Sequence, residues 1–82
     1  MYSVAFSPAA ERQFSKLERS IQERVVKAIE RIRTRPEGFV TKLVGEPGYR
    51  LRVGDYRVIM DIQQSNLLIL VIKIGHRSTI YN

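Results

Sequence analysis

Residues 49–58 read YRLRVGDYRV. Apolar and aromatic side chains fall on alternate positions on both sides of Gly54-Asp55, with Tyr49, Leu51 and Val53 before it and Tyr56 and Val58 after it. That period of two belongs to half-buried strands, and a two-residue linker suits a primed hairpin turn, although the order Asp-Gly would be the stronger signal. If Gly54-Asp55 is the whole turn, Val53 faces Tyr56 and Arg52 faces Arg57. Tyr49, Leu51, Val53, Tyr56, Val58 and Met60 then share the face that must be covered, and Arg50, Arg52 and Arg57 share the other. Like charges directly opposite on a sheet cost some tenths of a kcal/mol, so stability gives no reason for this arrangement. One reading is a solvated face partly neutralised by Asp61. The other is anion binding, favoured by three guanidinium groups with no carboxylate at their centre. A bulge or a longer loop at the turn would send Arg57 elsewhere.

Downstream, Tyr56 to Ile62 continues as a strand and QQSN at 63–66 is a second turn. LLILVIKI at 67–74 lacks alternation, as expected of a central strand covered on much of both faces. Gly75 is expected to break it, and STIY at 78–81 reads as a short last segment. Upstream, YSVAF at 2–6 alternates as a strand. Ser7-Pro8 supplies an N-cap followed by proline at the first helical position, which predicts a helix to about Glu18. Ser20 and Glu23 form an S-x-x-E capping box, and Val25, Ala28, Ile29 and Ile32 recur at helical spacing until Pro36 and Gly38. The expected fold is α+β in one domain over residues 1–82: an N-terminal strand, a helical hairpin, then an antiparallel meander of three or four strands.

A chain of 82 residues has a small core, which places any chemistry on the surface. It has no cysteine and one histidine, so no thiolate site and no protein-built zinc centre is expected, and no cofactor is implied. The N-terminus lacks the pattern of a signal peptide and LLILVI is too short to span a bilayer, so a cytoplasmic protein without a membrane partner is expected. Net charge is +6 and the sequence pI about 10.2, which favours an anionic partner. Eight basic and five acidic residues lie in positions 1–38, and six and three lie in 39–82. Each half therefore contributes +3, and the charge belongs to the folded unit.

The string GYRLRVGDYRVIMDI, followed by IGHRSTIY, resembles the RelE-type toxins of the RelE/ParE superfamily, bacterial and archaeal mRNA interferases. The likeness is strongest over residues 43–81 and looser over the N-terminal strand and helical hairpin. It implies cleavage of mRNA in the ribosomal A site without a metal, the ribose 2'-OH attacking the adjacent phosphate. Position by position, it implies that Arg50 and Arg52 bind mRNA phosphates. Arg57 would contact the scissile phosphate, Arg77 would stabilise charge and assist the leaving group, and Tyr81 would act as general base and stacking surface. His76 reads either as a hydrogen-bonded surface residue or as a direct participant. Tyr49 and Tyr56 are expected in the core or at an edge, and Glu46 and Asp61 outside the chemistry. The implied partners are a RelB-like antitoxin, in a hetero-oligomer, and the ribosome with its mRNA. Relatives that continue past this tyrosine use a C-terminal helix that the antitoxin displaces; here Asn82 follows Tyr81, so occlusion or neutralisation of the arginine face is the expected route of inhibition. A ParE-like inhibitor of DNA gyrase and a non-catalytic basic binding module remain as alternatives.

Overall fold

The structure, a computed structural model, describes residues 1–78. β1 (Ser3–Phe6) leads into α1 (Pro8–Ser15) and α2 (Arg19–Ile32), a 3-10 turn spans Pro36–Gly38, and four strands follow: β2 (Thr41–Lys42), β3 (Tyr49–Val53), β4 (Tyr56–Gln63) and β5 (Leu68–His76). The sheet has the order β1-β5-β4-β3-β2. β1 runs parallel to β5, as a strand that crosses over through helices can, and the remaining pairs are antiparallel. Five strands thus stand where an N-terminal strand and a meander of three or four were expected. The expected last segment was STIY at 78–81, of which 79–81 lie outside the described residues; β2, with two residues and no alternation to reveal it, was not expected.

Helix entry follows the predicted chemistry at α1. The Ser7 Oγ accepts the Ala10 backbone N–H at 3.0 Å, donates to the Ile72 carbonyl at 2.7 Å, and Pro8 occupies the first helical position. Ser7→Ala removes both the cap and a tie to β5, and is expected to cost about 1 to 2 kcal/mol in denaturant unfolding. α2 corrects the capping-box reading. It starts at Arg19 with Glu18 as N-cap and no side-chain cap bond, so Ser20 lies inside the first turn. The Gln22 N–H reaches the Glu18 carbonyl, and the Gln22 side chain donates to the Phe14 carbonyl at 2.9 Å. That link to α1 sets the start of the helix. α1 itself stops at Ser15, three residues early, because Lys16 and Leu17 close back onto Gln13 and Phe14 and half-bury Leu17 against the core.

The core lies between the helices and one face of the sheet. Val25, Ile29 and Ile32 of α2 pack with Leu51, Val53, Val58, Met60, Ile69, Val71 and Ile74. β5 explains its own missing alternation differently from the expectation. Ile59 pairs with Lys73 but Met60 pairs with Val71, so Ile72 is an extra residue, a β-bulge. The bulge lets Ile69, Val71 and Ile74 all point into the core while Ile72 and Lys73 are both exposed. Unbroken hydrophobicity here reflects a parity shift, and the second face of β5 is only partly covered. Gly75 does not break the strand either: it pairs with Arg57, and β5 runs on to His76.

Candidate functional site

The turn at Gly54-Asp55 holds the register that the sequence predicts. Val53 pairs with Tyr56 and Arg52 with Arg57. Gly54 has φ +59°, while Asp55 is not among the positive-φ residues. Positive φ at the first central position alone is the pattern of a type II′ turn, which is why glycine comes first here.

The tight turn fixes the faces. Leu51, Val53, Val58 and Met60 are buried against the helices, and Arg50, Arg52 and Arg57 lie on the open face. Arg52 is exposed, with its Nε donating to the Gly54 carbonyl over a long 3.4 Å, and Arg50 and Arg57 are half-buried. Across the sheet Gly75 pairs with Arg57 and Thr41 with Arg50, so neither partner brings a carboxylate. The bulge adds a cation that sequence reasoning missed. By shifting parity, it turns Lys73 onto this face, opposite Ile59. Ile59 is only 6% exposed although it lies outside the helix-packed core. Arg50 and Lys73 flank it in register, and the stems of such long cationic side chains bury apolar surface while their heads stay in water.

Among the described residues the single ion pair joins Arg33 to Glu30, and neither belongs to this face. Arg50, Arg52 and Arg57 therefore have no carboxylate partner there. Asp61 is two residues beyond Ile59 on β4 and accepts from the Gln63 side chain at 3.0 Å. At the opposite end of the sheet a bond from Gln64 holds the Glu37 carboxyl below its ordinary range, and burial, then Glu37, push the Tyr2 hydroxyl up. Among the described residues no group of three histidines, cysteines or carboxylates stands close enough to hold a metal ion.

The remaining candidates divide. Arg77 is exposed, and its backbone N–H donates to the Asp55 carbonyl at 2.8 Å, which carries the β4–β5 ladder one residue further. That bond sets Arg77 beside the end of the arginine hairpin. His76 pairs with Tyr56 and so takes the helix-side parity, away from the arginines. Its ring meets Tyr56 edge-on at 5.4 Å, and its Nδ1 accepts the Ser78 N–H at 3.2 Å. Tyr49 and Tyr56 stand at the core margin, as expected. Tyr81 lies outside the described residues. The arrangement is a cationic platform able to grip successive phosphates and to stabilise charge that develops on one of them.

Comparison with known proteins bears on the fold and the family. No curated protein sequence matches the chain. Among solved structures, a chain of the RelBE2 toxin-antitoxin complex from Mycobacterium tuberculosis is 28% identical with a TM-score of 0.84, over 94% of this chain and 92% of that one. A chain of the intact Escherichia coli RelBE toxin-antitoxin complex is 26% identical with a TM-score of 0.79, over 93% and 96%. The isolated E. coli RelE toxin, at 23% identity, 93% and 84% coverage and a TM-score of 0.81, shares the fold. Residues 4–81 match the family described as the ParE toxin of the type II toxin-antitoxin system, parDE. The chain belongs to that family, and with its RelE-like fold it is a toxin of the RelE/ParE superfamily of type II toxin-antitoxin systems.

Proposed function

We propose that this toxin is a ribosome-dependent, metal-independent endoribonuclease that cleaves mRNA in the A site and so inhibits translation. The observation that carries the reading is the open-face cluster of Arg50, Arg52 and Arg57, without a carboxylate partner among the described residues, on a RelE-like fold. In the reaction the ribose 2'-oxygen attacks the adjacent phosphorus and the bond to the 5'-oxygen breaks. The products are a 2',3'-cyclic phosphate and a free 5'-OH. One proton leaves the 2'-OH, and one reaches the departing 5'-oxygen. Arg50 and Arg52 bind phosphates already charged in the ground state. Arg57 meets the charge that grows on phosphorus, Arg77 serves the leaving oxygen, and Tyr81 takes the 2'-OH proton. Neighbouring guanidinium groups favour a phenolate, which a tyrosine needs if it is to act as a base.

An arginine set grips phosphate but supplies little acid-base power of its own, so the ribosome must hold the 2'-OH in line. Purified toxin is expected to cut mRNA on programmed ribosomes with no added metal and to leave free RNA nearly intact. Loss of cleavage in EDTA that spares the ribosomes, or equal cutting of free RNA, counts against the proposal. The ParE description of the matched family favours a second reading, inhibition of DNA gyrase. A supercoiling assay separates the two.

Two of the structural relatives are chains of toxin-antitoxin complexes, RelBE and RelBE2. By extension the inhibitor of this toxin is a small acidic antitoxin that lays carboxylates on the arginine face, in a hetero-oligomer within the cytoplasm. Its association should weaken as salt rises. A complex that leaves all three guanidinium groups in open solvent refutes the neutralisation.

A further inference from the structure

A groove of about 290 Å³ lies between α2 and the end of the β3–β4 hairpin, lined by Arg24, Lys27, Ala28 and Arg31 from the helix and by Arg52, Val53 and Gly54 from the hairpin. Positions 24, 27 and 31 follow three- and four-residue spacing and so form one stripe of α2. Val25, Ile29 and Ile32 press the adjacent stripe onto the sheet, which brings the cations down to its border. β2 pairs with β3 only at Tyr49 and Arg50, so among the described residues no strand lies beyond Leu51–Val53 on that edge. Gly54 keeps the hairpin end narrow: a Cβ there would stand 2.6 Å from an Arg24 Nη2.

Folding gives no reason for this stripe. Like charges three and four residues apart destabilise a helix by a few tenths of a kcal/mol for each pair. Among the described residues none of the four cations makes an ion pair, and the nearby Glu30 is held by Arg33. Arg52 belongs both to the groove and to the open face, so the cationic surface runs without interruption from Arg50 and Arg57 around the hairpin end to Arg31.

We propose that this groove is a second RNA-binding surface, which holds backbone phosphates other than the one that is cleaved. The inference rests on the reading of the toxin as one that acts on RNA. An acidic helix docking here would need large apolar anchors, whereas the apolar side chains of the lining are Ala28, small and half-buried, and Val53, which is buried. Tracking a phosphate backbone needs only the cations. The phosphates can belong to ribosomal RNA or to message flanking the cut.

The test is binding of the triple variant R24Q/K27Q/R31Q to ribosomes across a salt series, with the control R12Q/K16Q/R35Q, which removes the same charge elsewhere on the exposed surface. The groove variant is expected to lower the slope of log affinity against log salt by about 2 to 3 and to bind on the order of 100-fold more weakly at 0.1 M salt. Its Tm should not fall, and its single-turnover cleavage on saturating ribosomes should stay within about threefold of the parent. A loss on vacant ribosomes assigns the phosphates to ribosomal RNA; a loss that appears only with message extending past the cut codon assigns them to the message. Either supports the proposal. Unchanged binding, an equal loss in the control, failure of the parent to bind ribosomes, or weakened antitoxin binding alone overturns it. Binding is read without cleavage, so a parent that binds but does not cut condemns the nuclease reading alone, and a parent that cuts while the variant binds normally condemns the groove alone.

Discussion

Arg57→Ala is expected to slow single-turnover cleavage on saturating programmed ribosomes by about 100-fold or more, the usual scale for loss of one group that stabilises transition-state charge. Ribosome binding should fall far less, because Arg50, Arg52 and Lys73 still present a cationic face. The fold should be kept. Arg57 points away from the helix-packed core, and removing it relieves the like-charge pairing with Arg52. Thermal unfolding of the variant should therefore match or exceed that of the parent. A variant that cleaves at the parent rate makes the arginine face a solvated surface, and one that melts well below the parent returns Arg57 to a structural role.

The second large effect is on stability. Met60 is fully buried on β4, between Tyr49 of β3 and Val71 of β5, at the step where the bulge shifts the register. Met60→Ala leaves a cavity among rigid strands and is expected to cost about 2 to 5 kcal/mol in denaturant unfolding. Ile59→Ala, one residue away and nearly as buried, should cost less than half as much. Its cover consists of flexible cationic stems that can settle into the space, and the cost of truncation depends on how far the site can collapse. Equal losses for the two would mean that Ile59 belongs to the packed core.

The hairpin was legible in the sequence because its information is local. Alternation assigns each side chain to a face, a two-residue turn fixes the pairing sum, and Gly54 supplies the positive φ that a II′ turn requires. The set Arg50, Arg52 and Arg57 follows from those three facts. The Ser7-Pro8 cap was legible for the same reason. The start of α2 was not: S-x-x-E describes what Ser20 could cap, while the Gln22 bond to Phe14, eight residues back, decides where the helix begins.

Where β5 was misread, the cause is tertiary. An apolar run such as LLILVIKI fits both a doubly covered strand and a bulged one, and only the pairing with β4 places Ile72 outside the regular ladder. That one residue carries Lys73 to the arginine face and sets His76 beside Tyr56 on the other. The sequence by itself determined the order of β1, the two helices and the three long strands, the faces of the central hairpin and the excess of positive charge. The tertiary structure decided which cations meet: Arg24, Lys27 and Arg31 approach Arg52 only because α2 buries its apolar stripe against the sheet, and a contact across that distance in the chain leaves no periodic trace to read.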